Sequence, residues 1–100
     1  MENLEKINEL INNKKYEEAK KELQAIIHED EKDIEALKLL GLCHINLGEF
    51  KEGQGVFETV VKYKDDATSW FYLASCYDNQ DDFLHAISAY EEVLRMRSSY

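Results

Sequence analysis

Apolar positions recur at intervals of three and four residues along almost the whole chain, the spacing that lines one face of an α-helix. Leu4, Ile7, Leu10 and Ile11 form one stripe, and Tyr16, Ala19, Leu23, Ile26 and Ile27 form a second after the polar break Asn12-Asn13-Lys14-Lys15. This pattern predicts two helices joined by a tight turn. Leu37, Leu40 and His44 open a third helix that should stop at Gly48, because glycine enters the left-handed conformation closing a helix without a Cβ penalty. Phe50, Gly53, Phe57, Val60 and Val61 mark a fourth, Trp70, Leu73, Ala74 and Tyr77 a fifth, and Phe83, Ala86, Ile87, Tyr90, Val93 and Leu94 a sixth. Asp33 and Asp66 each precede a helix, where a carboxylate accepts free backbone N–H groups and suits the positive end of the dipole. With no proline and no low-complexity stretch, nothing reads as a linker, so residues 1–100 are expected to form one all-α domain.

The helices repeat. Tyr16, Ala19, Leu23 and Ile26 recur 34 residues later as Phe50, Gly53, Phe57 and Val60, and 33 further on as Phe83, Ala86, Tyr90 and Val93. A shift of 33 likewise carries Leu37, Leu40, Gly41, Cys43 and His44 onto Trp70, Leu73, Ala74, Cys76 and Tyr77. Two helices per period of about 34 residues mark a stacked solenoid. Trp70-x2-Leu73-Ala74-x2-Tyr77 followed by Phe83, Ala86 and Tyr90, with Leu40-Gly41, Gly48, Phe50 and Phe57 one unit earlier, resembles the tetratricopeptide repeat family. The resemblance implies a right-handed solenoid of helical hairpins, six antiparallel helices in three units near residues 1–33, 34–66 and 67–100. It also implies a non-catalytic protein-interaction module that holds polypeptide segments on the inner curve of the stack. Where the family closes each unit with proline, this chain has Glu31, Asp65 and Ser98, and looser turns between units are expected.

Neither helix of a pair can bury its apolar face alone, so each pair needs its neighbours to complete a core. Ala19, Gly53 and Ala86 are small where helices should approach closest, and the third helix, apolar nearly all round, belongs in the middle. The sixth helix carries Ile87, Val93, Leu94 and Met96 with no helix after it, whereas such solenoids normally close with a polar cap. The expectation is that the chain is an N-terminal fragment or covers this face with another copy of itself. A homo-oligomeric, self-stacking scaffold is therefore the alternative to a peptide-binding adaptor.

Charge narrows the partners. Twelve Lys and Arg against twenty-one Asp and Glu give a net charge of -9, which repels a phosphate backbone and anionic lipid, so neither nucleic acid nor membrane insertion is expected. The start lacks the basic and apolar segments of a secretory signal, and two cysteines make no disulfide framework, which points to the cytoplasm. Cys43 and Cys76 are expected as small core residues, His44 as a packing residue at the place of Tyr77, and His28 and His85 at the surface. No metal-ligand or nucleophile-and-base spacing occurs, Glu29-Asp30-Glu31 and Asp81-Asp82 fall at turns, and Gly53-Gln54-Gly55 lies inside a helix. No enzyme activity and no cofactor are expected.

One stripe on the first helix of each unit should face the inner curve. It comprises Glu2, Glu5, Glu9 and Asn12, then Glu35, Lys38, Leu42 and Ile45, then Thr68, Phe71, Ser75 and Asp78, with Leu39 and Tyr72 at its edge. Leu42, Ile45 and Phe71 are apolar without being required by the core inside a unit, as a groove for an apolar side chain would show. Some family members clamp a two-carboxylate tail with Lys, Asn and Arg at places that correspond here to Glu5, Glu9, Leu39, Thr68 and Tyr72. Two glutamates there repel such a tail. The expected guest is a protein or peptide with an apolar anchor near Leu42 and Phe71 and a basic residue toward Glu5 and Glu9.

Overall fold

The computed structural model describes residues 2–98; within them the side chains of Glu2 and Asn3 are not described. Six α-helices follow one another: α1 (Glu2–Asn12), α2 (Tyr16–Glu29), α3 (Ile34–Asn46), α4 (Phe50–Tyr63), α5 (Ala67–Asn79) and α6 (Phe83–Arg97). Each helix packs on the next, and α3 also packs on α5, so the odd-numbered helices form one layer and the even-numbered helices lie behind it. The architecture is a helical repeat solenoid. No described helix is long and apolar enough to cross a membrane.

The turn inside each pair is built the same way. Lys14, Gly48 and Asp81 take left-handed backbone angles, with φ of 61°, 76° and 62°. The next residue then donates its N–H to a carbonyl five places back: Lys15 to Leu10 at 2.8 Å, Glu49 to His44 at 2.8 Å and Asp82 to Tyr77 at 2.9 Å. This satisfies a carbonyl that the ending helix would otherwise leave free. Only the middle turn uses the residue best suited to the angle. The turns between units are closed by the two expected caps, Asp33 accepting from the Ala36 N–H at 3.1 Å and Asp66 from the Ser69 N–H at 2.7 Å.

The core does not follow the units. One cluster joins Ile7, Ala19 and Leu23 of the first pair to Ala36, Leu40 and Cys43 of α3. The other joins Leu37 of α3 with Phe57 and Val60 to Leu73, Ala74, Cys76 and Tyr77 of α5 and Ala86 and Ala89 of α6. Helix α3 feeds both clusters from different sides, which is why it needs apolar residues almost all round. Burial pushes the thiols of Cys43 and Cys76 up to about 11, so both are poor nucleophiles.

Polar groups tie the units together at two joints. At the first, Lys20 of α2 donates to Glu49 at 3.0 Å, and His44 Nδ1 lies 2.8 Å from the same carboxylate. At the second, Gln80 donates to Gln54 at 2.8 Å, Gln54 donates to Glu58 at 3.2 Å, and the Tyr77 hydroxyl donates to Glu58 at 2.7 Å.

Close approach is achieved with glycine. A Cβ on Gly41 would stand 2.5 Å from the Phe57 ring, and one on Gly53 would stand 3.1 Å from the Cys76 sulfur, whereas one on Gly55 would meet nothing within 4 Å. Gly41→Ala is expected to destabilise the fold by about 1 to 3 kcal/mol through overpacking, and Gly55→Ala to stabilise it by roughly 1 kcal/mol through helix propensity. Chemical denaturation of the two variants checks both signs; equal effects would show that Phe57 can yield.

Candidate functional site

The expected inner stripe lies on α1, α3 and α5, the layer in which α3 touches α5. Its members divide into two groups. Glu5, Glu9 and Asn12 of α1, Glu35 of α3, and Thr68, Phe71 and Asp78 of α5 are exposed, whereas Glu2 lies outside the described side chains. Lys38, Leu39, Leu42, Ile45, Tyr72 and Ser75 are half-buried.

The half-buried group is occupied by the fold itself. Leu42 and Ile45 pack against the cluster that joins the second and third pairs, and Leu39 against the cluster that joins the first and second. Leu42 and Ile45 thus contribute to packing between the pairs while keeping part of their surface open. Helix α3 packs on the first pair through one face and on the later helices through another. Tyr72 stacks on Phe57 with ring centroids 5.5 Å apart. The Lys38 ammonium lies 3.5 Å from Asp66, the residue that caps α5.

Phe71 is different. It is 48% exposed, a large aromatic left half in solvent on the odd-numbered layer. Tyr72 meets it edge-on at 5.8 Å and Tyr90 at 6.1 Å, which fixes the ring from two sides and leaves one face open. A hollow of about 220 Å³ opens beside it, lined by Ala67, Thr68, Phe71, Tyr72, Val93 and Arg97. Burial, the charge of Asp78 and a hydrogen bond to it raise the Tyr90 hydroxyl above the usual tyrosine range, which keeps it neutral and anchored toward α5. Tyr90 and Arg97 come from α6, and the sequence reading missed both as site residues. The only signal for Tyr90 was its place in the repeat, which marks a packing position and says nothing of Phe71, 19 residues earlier.

The face grouped on α6 by sequence also divides. Ile87 is 55% exposed and Leu94 66%, and Met96 is half-buried, but Val93 is buried at 8%. Val93 continues the row Ala86, Ala89, Val93 that packs on α5, whereas Ile87 and Leu94 lie on the neighbouring row. Its assignment to the open face is therefore corrected. Trp70 is only half-buried, and its indole N–H donates to Asp65 at 2.6 Å. His28 and His85 are exposed, and His85 stacks on Tyr77 at 5.1 Å. Among the described residues no three or more His, Cys, Asp and Glu side chains gather as metal ligands.

With this geometry in place, the likeness to known proteins is specific. Tetratricopeptide repeat models match residues 10–75 and residues 67–100, and the chain belongs to the tetratricopeptide repeat family. Among curated proteins no sequence matches it. The structure of PcrH in complex with the chaperone binding region of PopD superposes with a TM-score of 0.92 at 18% identity, covering 99% of this chain and 75% of that one. MamA 41-end from Desulfovibrio magneticus RS-1 superposes with a TM-score of 0.90 at 21% identity, covering 97% of this chain. The chain spans 55% of that MamA chain and 55% of a second MamA structure, the RS-1 ArsTM double mutant, which has the same TM-score of 0.90 and 21% identity.

The cap beside the stripe gives a pH test. Burial alone would raise the Asp66 carboxyl, but the Ser69 N–H and the Lys38 ammonium outweigh it and hold it below the ordinary aspartate range. A depressed carboxyl stabilises the fold above its unfolded pKa, near 3.9, and loses that contribution as pH falls through the lower folded value. Asp66→Asn keeps a capping side chain without the titration. The stability of wild type relative to this variant is expected to hold from pH 7 to about pH 5 and to shrink below about pH 4. Urea titrations at stepped pH measure it; a constant difference down to about pH 2 would assign Asp66 no such role.

Proposed function

We propose that the chain is a non-catalytic binding module that holds a segment of another protein on the face of α1, α3 and α5, with Phe71 as the apolar anchor point. The observation that carries this reading is the Phe71 ring, held edge-on by Tyr72 and Tyr90 beside an open hollow. Membership of a family of protein-interaction repeats supports it, as does the similar PcrH structure, which contains the chaperone binding region of PopD. The exposed Glu5 and Glu9 favour a guest with a basic residue toward α1, and the main apolar contact belongs at Phe71, since Leu42 and Ile45 are half-buried by packing. The cytoplasm suits the two free, buried cysteines.

Peptides selected from a display library against the wild-type chain provide the test. Phe71→Ala is expected to weaken them at least about tenfold, the scale of an aromatic hot spot, with little change in melting. Leu42→Ala is expected to lower stability, because its side chain packs against the core. Glu5→Lys with Glu9→Lys should weaken basic peptides, and the difference should fade as salt rises. Peptides that bind Phe71→Ala as well as wild type would place the guest elsewhere.

A further inference from the structure

The repeat shows what the last helix lacks. In the middle of the stack, α5 runs antiparallel over the α4 row Phe50, Gln54, Phe57 and Val61. Gln80, just past the end of α5, donates to Gln54 at 2.8 Å, while Tyr72 stacks on Phe57, which is 0% exposed. Shifted by 33 residues, the same row in α6 is Phe83, Ile87, Tyr90 and Leu94. There Phe83 is 55% exposed, Ile87 55% and Leu94 66%, with Leu84 beside them at 82%. Ile87 stands where α4 has Gln54, so the uncovered row is the more apolar of the two.

Two properties of this row say what fits it. Its spacings of four, three and four residues read the same in either direction. A second α6 laid antiparallel therefore sets Phe83 level with Leu94 and Ile87 level with Tyr90, twice over, as apolar rows of paired helices meet. The charges suit the same reversal. Beyond Lys64 the chain carries Lys or Arg only at Arg95 and Arg97, at one end of the row, whereas Asp81 and Asp82 stand at the other. Reversal brings Arg97 to the level of the Asp81-Asp82 turn of the other copy, while a parallel arrangement would set like charges side by side.

We propose that α6 pairs antiparallel with α6 of a second copy, about a two-fold axis between the levels of Ile87 and Tyr90. Each helix then takes on the other the place that α5 takes on α4. The same surface serves on both chains, so the pairing is isologous and closes at two. About three helical turns of contact make a small interface of the weak, reversible kind. Tyr90 also holds Phe71, and Arg97 also lines its hollow, so the paired face borders the groove and shares that edge with a guest. The pairing rests on the row and its charges, not on a guest at Phe71.

Sedimentation from micromolar to millimolar concentration tests it. The wild-type mass is expected to rise from one chain and level off at two. Ile87→Glu with Leu94→Glu changes only exposed positions and should stay a single chain with unchanged helical circular dichroism. Arg97→Glu alone should weaken pairing at least about threefold, and adding Asp81→Lys should restore it. Lysine suits that turn, since Lys14 takes the same left-handed angle at the matching place. A wild type that keeps the mass of a single chain throughout would overturn the proposal. So would a mass that climbs past two chains, a double glutamate variant that pairs like wild type, or a charge reversal that Asp81→Lys fails to rescue. Peptide capture on chain dilute enough to be single reads the Phe71 groove by itself, so either reading can fail while the other stands.

Discussion

The Phe57 ring fills the space that a side chain on residue 41 would need, and the middle of the stack is organised around that exchange of side chain for backbone. With Gly41 bare, α4 lies close enough on α3 for Phe57 to be fully buried and still stack on Tyr72 of the next pair. One aromatic residue thereby joins three helices. Because α3 also feeds Ala36, Leu40 and Cys43 into the other cluster, the hairpins share their cores and do not own them. Separating the chain at its sequence repeats would cut both clusters, which is the physical meaning of units that cannot stand alone.

Most of the fold was legible because its determinants are local and periodic. The two aspartate caps, the left-handed Gly48 and the small residues Ala19, Gly53 and Ala86 each state a backbone requirement at their own position. What periodicity could not state is which side of a helix a neighbour covers. Lys14 and Asp81 take the same left-handed angle as Gly48, but neither lysine nor aspartate announces it as glycine does. Gly55 was ambiguous in sequence, since a helical glycine fits either close contact or indifference, and the space around it decides for indifference.

The site was legible only in outline. The odd-numbered helices and their stripe follow from helical spacing, but spacing treats Leu42, Ile45 and Phe71 alike. The structure separates them by degree, because the first two pack half-buried against the cluster that joins the second and third pairs, while the third stands 48% exposed. Val93 and Leu94 are adjacent in sequence and point about 100° apart on a helix, so one is core and the other surface. Tyr90 reaches Phe71 from the following helix, a contact between elements that no single-helix pattern records.

The two joints differ in kind. The first is a charged knot of Lys20, Glu49 and His44, whereas the second is a ladder of amides and a phenol closing on Glu58. Lys20 is largely enclosed and Glu49 partly so, which shields their attraction from mobile ions. Consecutive hairpins are therefore clasped once by opposite charges and once by donors converging on a single carboxylate, so losing one member strands a charge in the first clasp and an unmet hydrogen bond in the second.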